Sequence, residues 1–171
     1  MAADDHFSLF GLPNVYAIDE AELNAAWRDV AARVHPDRFA TASAPERRVA
    51  MQWSARTNEA YRVLRDPLAR ARYMCEQAGI DLQTETNTAM APGFLMQQMT
   101  WREQLDDARD QQSGAAFDAL DANLRAAQAE LSDSIAVLID RKQDFAQAGA
   151  RVREWMFIQR ISQSLADHRP H

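Results

Sequence analysis

One cysteine, Cys75, is all the chain carries, so it cannot close an internal disulfide or build a cysteine-rich zinc or iron–sulfur site. That lone thiol reads as a small apolar side chain. Glycine and proline are scarce, at 5 and 6 of 171 residues, and β-branched residues are few, while Ala, Gln, Arg, Leu and Asp dominate. Such a composition favours helix throughout. There is no surplus of positive charge: the net value is -6, which argues against a nucleic-acid binder. No apolar run approaches the ~18 residues of a membrane span. The opening "MAADDHFSLF" has neither the basic start nor the apolar core of a secretory signal. The expectation is a soluble cytoplasmic protein. His6, His35, His168 and His171 are scattered without ligand spacing, so no metal and no cofactor is expected.

What is present is helical periodicity. Asp5 to Phe10 reads as a brief first helix. In "DEAELNAAWRDVAARV", Asp19 and Glu22 form an N-terminal capping pair, and Leu23, Trp27, Val30 and Val34 share one face. Pro36 ends that helix, because the residue before a proline avoids the helical region. Pro45 suits the first turn of the next helix, whose buried side is marked by Val49, Trp53, Thr57, Ala60 and Leu64. These two helices should lie antiparallel, with His35-Pro36-Asp37 at their exposed tip. A fourth helix, "PLARARYMCEQAG", stops at Gly79.

The polar, threonine-rich stretch that follows has no periodicity. The expected organisation is therefore a first domain over 1–79, a linker over 80–91 and a second domain over 92–171. In the second, Pro92 opens a helix running to about Ser113, where Gly114 breaks it. Two more span about Ala115 to Arg141 and Asp144 to Ala166. Phe117, Leu120, Leu124, Leu131, Ile135 and Leu138 point inward on one; Ala148, Val152 and Trp155 do so on the other. Short turns join them, which predicts a three-helix bundle. The fold class is all-α.

Two features bear on function. The residues of His35-Pro36-Asp37 alone leave several readings open. They could cap and solubilise a turn. A catalytic His-Asp pair would need a nucleophile, and only Thr41 and Ser43 lie close in sequence. A docking signal is the third reading. The second feature is the helix "FLMQQMTWREQLDDA". At ~100° per residue, Phe94, Trp101, Leu105 and Ala108 cluster within ~40° of one direction, the core stripe. Leu95, Met96, Met99, Glu103 and Asp107 fall between ~100° and ~220°, so three large apolar residues flanked by acids point outward. Such a patch marks either a partner or packing against another domain. Phe157 lies ~140° from Val152, off the core stripe of its helix.

The segments "HFSLFGLP", "WRDVAARVHPDRF" and "NEAYRVLRDPLARARY", in this order and spacing, resemble the J-domain. "GFLMQQMTWREQLDD" and "RVREWMFIQRI" resemble the C-terminal domain of HscB-type co-chaperones of iron–sulfur cluster assembly. No Gly/Phe-rich segment and no cysteine repeat follows the J-like half. The resemblance implies a J-domain helical hairpin plus a C-terminal three-helix bundle, and no catalytic site. It implies that His35, Pro36 and Asp37, helped by Arg28, Arg33 and Arg38, contact a DnaK-type chaperone of the HscA-like kind and stimulate its ATPase. It implies that Leu95, Met96, Met99, Glu103, Asp107 and Phe157 bind an IscU-like iron–sulfur scaffold protein. Neither nucleic acid nor membrane is an implied partner. The sequence departs from the family pattern at Asp29, where a basic residue is usual, which points to a dedicated chaperone. It departs again at Thr100, where an acid is often found, and at Asp107, which is shorter than the usual glutamate. A J-domain adaptor for a different client is the alternative.

Overall fold

The computed structural model describes residues 5–83 and 90–170. Among these every regular element is a helix. In chain order they are α1 (His6–Leu9), α2 (Glu20–Val34), a 3₁₀ turn (Pro36–Phe39), α3 (Ala44–Arg65), α4 (Pro67–Gln77), α5 (Pro92–Gln111), α6 (Gly114–Ala136) and α7 (Phe145–His168). A π-helical turn, Val137–Arg141, continues α6. The chain divides into two compact units, Met1–Tyr73 and Met74–His171.

In the first unit α2 and α3 form the expected hairpin. Asp19 caps α2, accepting from the amides of Ala21 and Glu22 at 2.8 and 3.4 Å. The reciprocal capping box forms instead on α3. There Ser43 Oγ accepts from the Glu46 amide and the Glu46 carboxylate accepts from the Ser43 amide. The hairpin is pinned across its face by aromatic contacts. Trp27 stacks on Tyr61 at 4.5 Å, the Tyr61 hydroxyl donates to Asn24 Oδ1, and the Trp27 indole donates to Asn58 Oδ1. Arg70, buried on α4, donates to the Leu64 carbonyl at 2.6 Å and lies over the Tyr16 ring. It thereby serves the carbonyl-rich end of α3.

The buried side of α3 differs from expectation at its beginning. Thr57, Ala60 and Leu64 are buried as predicted, but Val49 and Trp53 are exposed and Ala50 takes the inward place. Proline stops α2 at Val34, so beside the first turns of α3 only the end of α2 and the short 3₁₀ turn remain, and Val49 and Trp53 stay exposed.

The second unit is a three-helix bundle. Its core joins Trp101, Leu105 and Ala108 of α5, Phe117, Leu120 and Leu124 of α6, and Ile158, Ile161 and Leu165 of α7. The turn between α5 and α6 is built otherwise than predicted. Gln112 takes the left-handed position (φ 48°), its amide bonding back to Ala108 and Arg109, and Ser113 caps α6. Gly114 therefore opens α6 and does not itself break α5. Part of the expected linker belongs to this unit. Gly79 (φ 85°) turns the chain at the end of α4, after which Ile80 and Leu82 pack on α7 at Gly149, and Arg153 donates to the Asp81 carbonyl at 2.7 Å. Positions 84–89 of that stretch, like His171, lie outside the described residues.

Candidate functional site

The tip of the hairpin is shaped by its proline. His35 is extended (φ -60°, ψ 132°), as the residue before Pro36 must be, and Pro36 opens the 3₁₀ turn. The Asp37 amide donates to His35 Nδ1 at 3.2 Å. A neutral imidazole bonded this way carries its proton on Nε2, the nitrogen left to meet a partner. The Asp37 carboxylate sits 3.6 Å from Nδ1 with 92% of its side-chain surface exposed. The turn thus offers one directional donor and one open carboxylate, able to take a guanidinium in two parallel bonds. Its geometry is set before any partner arrives, which lowers the entropy lost on docking.

The expected basic helpers divide. Arg28 and Arg38 are exposed. Arg33 is exposed too, but it forms an i,i+4 pair with Asp29 at 2.9 Å. The acid at position 29 therefore holds a neighbouring cation on the helix surface. Beside the tip lies a feature that helical periodicity hid. Val34, Phe39, Val49 and Trp53 line an apolar groove of about 310 Å³.

On the bundle, α5 presents the predicted outward patch. Leu95, Met96 and Met99 are 46%, 70% and 64% exposed, and Glu103 and Asp107 are exposed as well. Phe157 is not off the core as its wheel position predicts: its ring is half-buried, edge-on to Phe94 at 6.0 Å, and packed on the core. The arc of α7 covered by its neighbours is wider than one stripe, so a residue ~140° from Val152 still reaches the interior. Two residues flanking Phe157 escaped the sequence reading. Arg102 and Arg160 place their guanidinium carbons 5.3 and 5.8 Å from its ring centroid. Their only trace in the sequence is spacing, Met99 to Arg102 and Phe157 to Arg160, each i to i+3.

Comparison with known proteins shows which family the chain is similar to. The family model described as the HSCB C-terminal oligomerisation domain matches residues 90–166. The chain is 65% identical to the co-chaperone protein HscB homolog of Bordetella petrii, over 99% of each chain. It is 51% identical to that of Burkholderia multivorans, over 93% of this chain and 90% of the relative. Among solved structures, chaperone HscB from Vibrio cholerae superposes with a TM-score of 0.81 at 32% identity, covering 95% of this chain and 96% of its own. Human co-chaperone HscB gives 0.87 at 26% identity, covering 97% and 82%.

Proposed function

Because the chain belongs to the HscB family of iron–sulfur-assembly co-chaperones, we propose that its hairpin tip stimulates ATP hydrolysis by an HscA-like, DnaK-type chaperone while its bundle delivers an IscU-like scaffold protein to that chaperone, in the cytoplasm. The observation that carries this reading is the exposed, preorganised His35-Pro36-Asp37 turn, whose Asp37 carboxylate is open to a partner. The effect on hydrolysis is indirect. Docking favours the chaperone conformation competent for hydrolysis, and no residue of this chain touches the phosphate. The Leu95, Met96 and Met99 patch supports the second half, since methionine gives an adaptable apolar surface. Holding both partners on one chain raises the local concentration of scaffold beside the chaperone.

Steady-state ATPase measurements test the proposal. The protein should accelerate the chaperone, and added scaffold should accelerate it further. Asp37→Asn removes the charge of the docking bond and should weaken chaperone affinity by about thirtyfold, the equivalent of ~2 kcal/mol. His35→Gln should abolish stimulation at concentrations where the parent saturates. Undiminished stimulation by both variants would refute the role of the tip. A client other than the scaffold is the second reading, and the absence of any scaffold binding by the parent protein would favour it.

A further inference from the structure

Arg102 of α5 and Arg160 of α7 approach one ring, Phe157, from two different helices. Both line a single cavity of about 300 Å³, together with Leu105, Phe157, Ile161 and Ser164. Among the described residues no carboxylate is in that lining. The omission stands out against the charge of the unit. Over 74–171 the sequence holds fifteen acidic residues against nine basic ones. Arg109, Arg125, Arg151 and Arg169 each pair with a carboxylate there. Arg102 and Arg160, like Arg141, Lys142 and Arg153, form no ion pair among the described residues, although acids outnumber the bases.

Two guanidiniums converging on one small space repel each other. The negative face of an aromatic ring offsets part of that repulsion, at about 0.5–1 kcal/mol for each exposed cation. The arrangement gains most from an anion that bridges both, because a guanidinium presents a planar fork matched to two carboxylate oxygens. The Ser164 hydroxyl adds a further donor at the wall. Leu105 and Ile161 make the remainder apolar, which suits the methylenes of an acidic side chain better than a fully hydrated ion.

Position supplies the occupant. Arg102 is three residues after Met99 and seven after Leu95, so all three lie along one stripe of α5. The cavity therefore continues the exposed apolar patch rather than standing apart from it. We propose that Arg102 and Arg160 form a carboxylate clamp, which takes an Asp or Glu side chain of the scaffold protein docked on the α5 face. This rests on the scaffold-binding reading above. The clamp fixes the register of a surface whose apolar part is otherwise tolerant of sliding.

Calorimetric titration of the full-length protein with purified scaffold, at low and at high salt, tests it. Arg102→Met with Arg160→Met keeps the apolar stems over Phe157 and removes both charges. This variant should bind about tenfold more weakly at low salt and lose much of the parent's salt dependence. Arg102→Lys with Arg160→Lys, which retains charge but not the fork, should fall between the two. Helicity and scaffold-independent chaperone stimulation should match the parent in both. Should the methionine variant fold poorly, the lysine variant decides, because parent-like affinity and salt dependence there would remove the need for paired forks. Leu95→Ala with Met99→Ala, run in parallel, separates the two ideas. If it loses binding while the arginine variants keep the parent's affinity and salt slope, the clamp is wrong and the docking face stands. If it too binds like the parent, the docking face itself is wrong and the clamp falls with it.

Discussion

Glu154 is 3% exposed on α7, yet only one of its oxygens is served. Arg151 Nη1 forms an ion pair with Oε2 at 3.2 Å, and Oε1 has no hydrogen-bond partner among the described residues. The carboxyl faces a cavity of about 440 Å³ that Glu130, Arg151 and Ser134 also line. Burial pushes its pKa above the usual carboxylate range, with Arg151 pulling the other way. The sign of the stability effect follows from proton uptake. The folded state holds this proton more tightly than the unfolded chain, so stability falls as pH rises from the unfolded-state pKa to the folded one, and stays lower above it. Glu154→Gln removes the ionisable group and keeps the shape, while solvent can serve the half-exposed Arg151. It should raise stability by about 1 kcal/mol at neutral pH, an advantage that disappears on acidification below the unfolded-state value. Urea unfolding of both proteins across the pH range checks this; a loss of stability at pH 7 would show that the Arg151 pair outweighs the burial cost. Cys75 is the contrasting buried group. Burial pushes its thiol up to about 11, so it is protonated and unreactive at neutral pH, in keeping with a small apolar side chain.

Among the elements, α7 depends on a glycine for a reason of contact rather than conformation. A methyl group on Gly149 would come within 2.7 Å of Ile80 Cγ2. Alanine is better in a helix by about 1 kcal/mol, whereas overpacking costs about 1–3 kcal/mol. Gly149→Ala should therefore lose about 1 kcal/mol in chemical denaturation, and Ile80→Ala in the same chain should restore part of it. Neither half of this contact was legible beforehand, because Ile80 and Leu82 sit beside a polar, aperiodic run that conceals their burial. Helical periodicity did identify the stripe of Trp101, Leu105 and Ala108, since those side chains have a core opposite them. It failed for Val49 and Trp53, because a wheel shows which residues share a face and not whether anything covers it. The same limit separates the two sites. Three consecutive residues carry the hairpin tip, so it can be read directly. Arg102 and Arg160 gain meaning only when α5 and α7 bring them over one ring.

At the scale of the molecule, charge is divided unevenly between the units that carry the two candidate sites. Residues 1–73 hold ten arginines against ten acids, so the whole net charge of -6 resides in 74–171. The arginines around the hairpin tip thus work in a neutral unit, and the apolar patch of α5 in an acidic one. Each unit has its own buried residues, so a surface change in one should leave the other's partner affinity within about 0.5 kcal/mol. What the units cannot do separately is bridge. A tether makes the second encounter intramolecular, at effective concentrations of roughly millimolar, against the micromolar concentrations of an assay. A mixture of full-length Asp37→Asn protein and full-length Leu95→Ala, Met99→Ala protein tests whether that bridge matters. It contains an intact tip and an intact scaffold face, but on different chains. The mixture should give only the scaffold-independent level of ATPase stimulation, because scaffold held by one chain gains nothing from the tip of the other. Recovery of the parent's scaffold-enhanced rate at equal concentrations would mean that the two units act without joining their partners, and that delivery is not the purpose of carrying both on one chain.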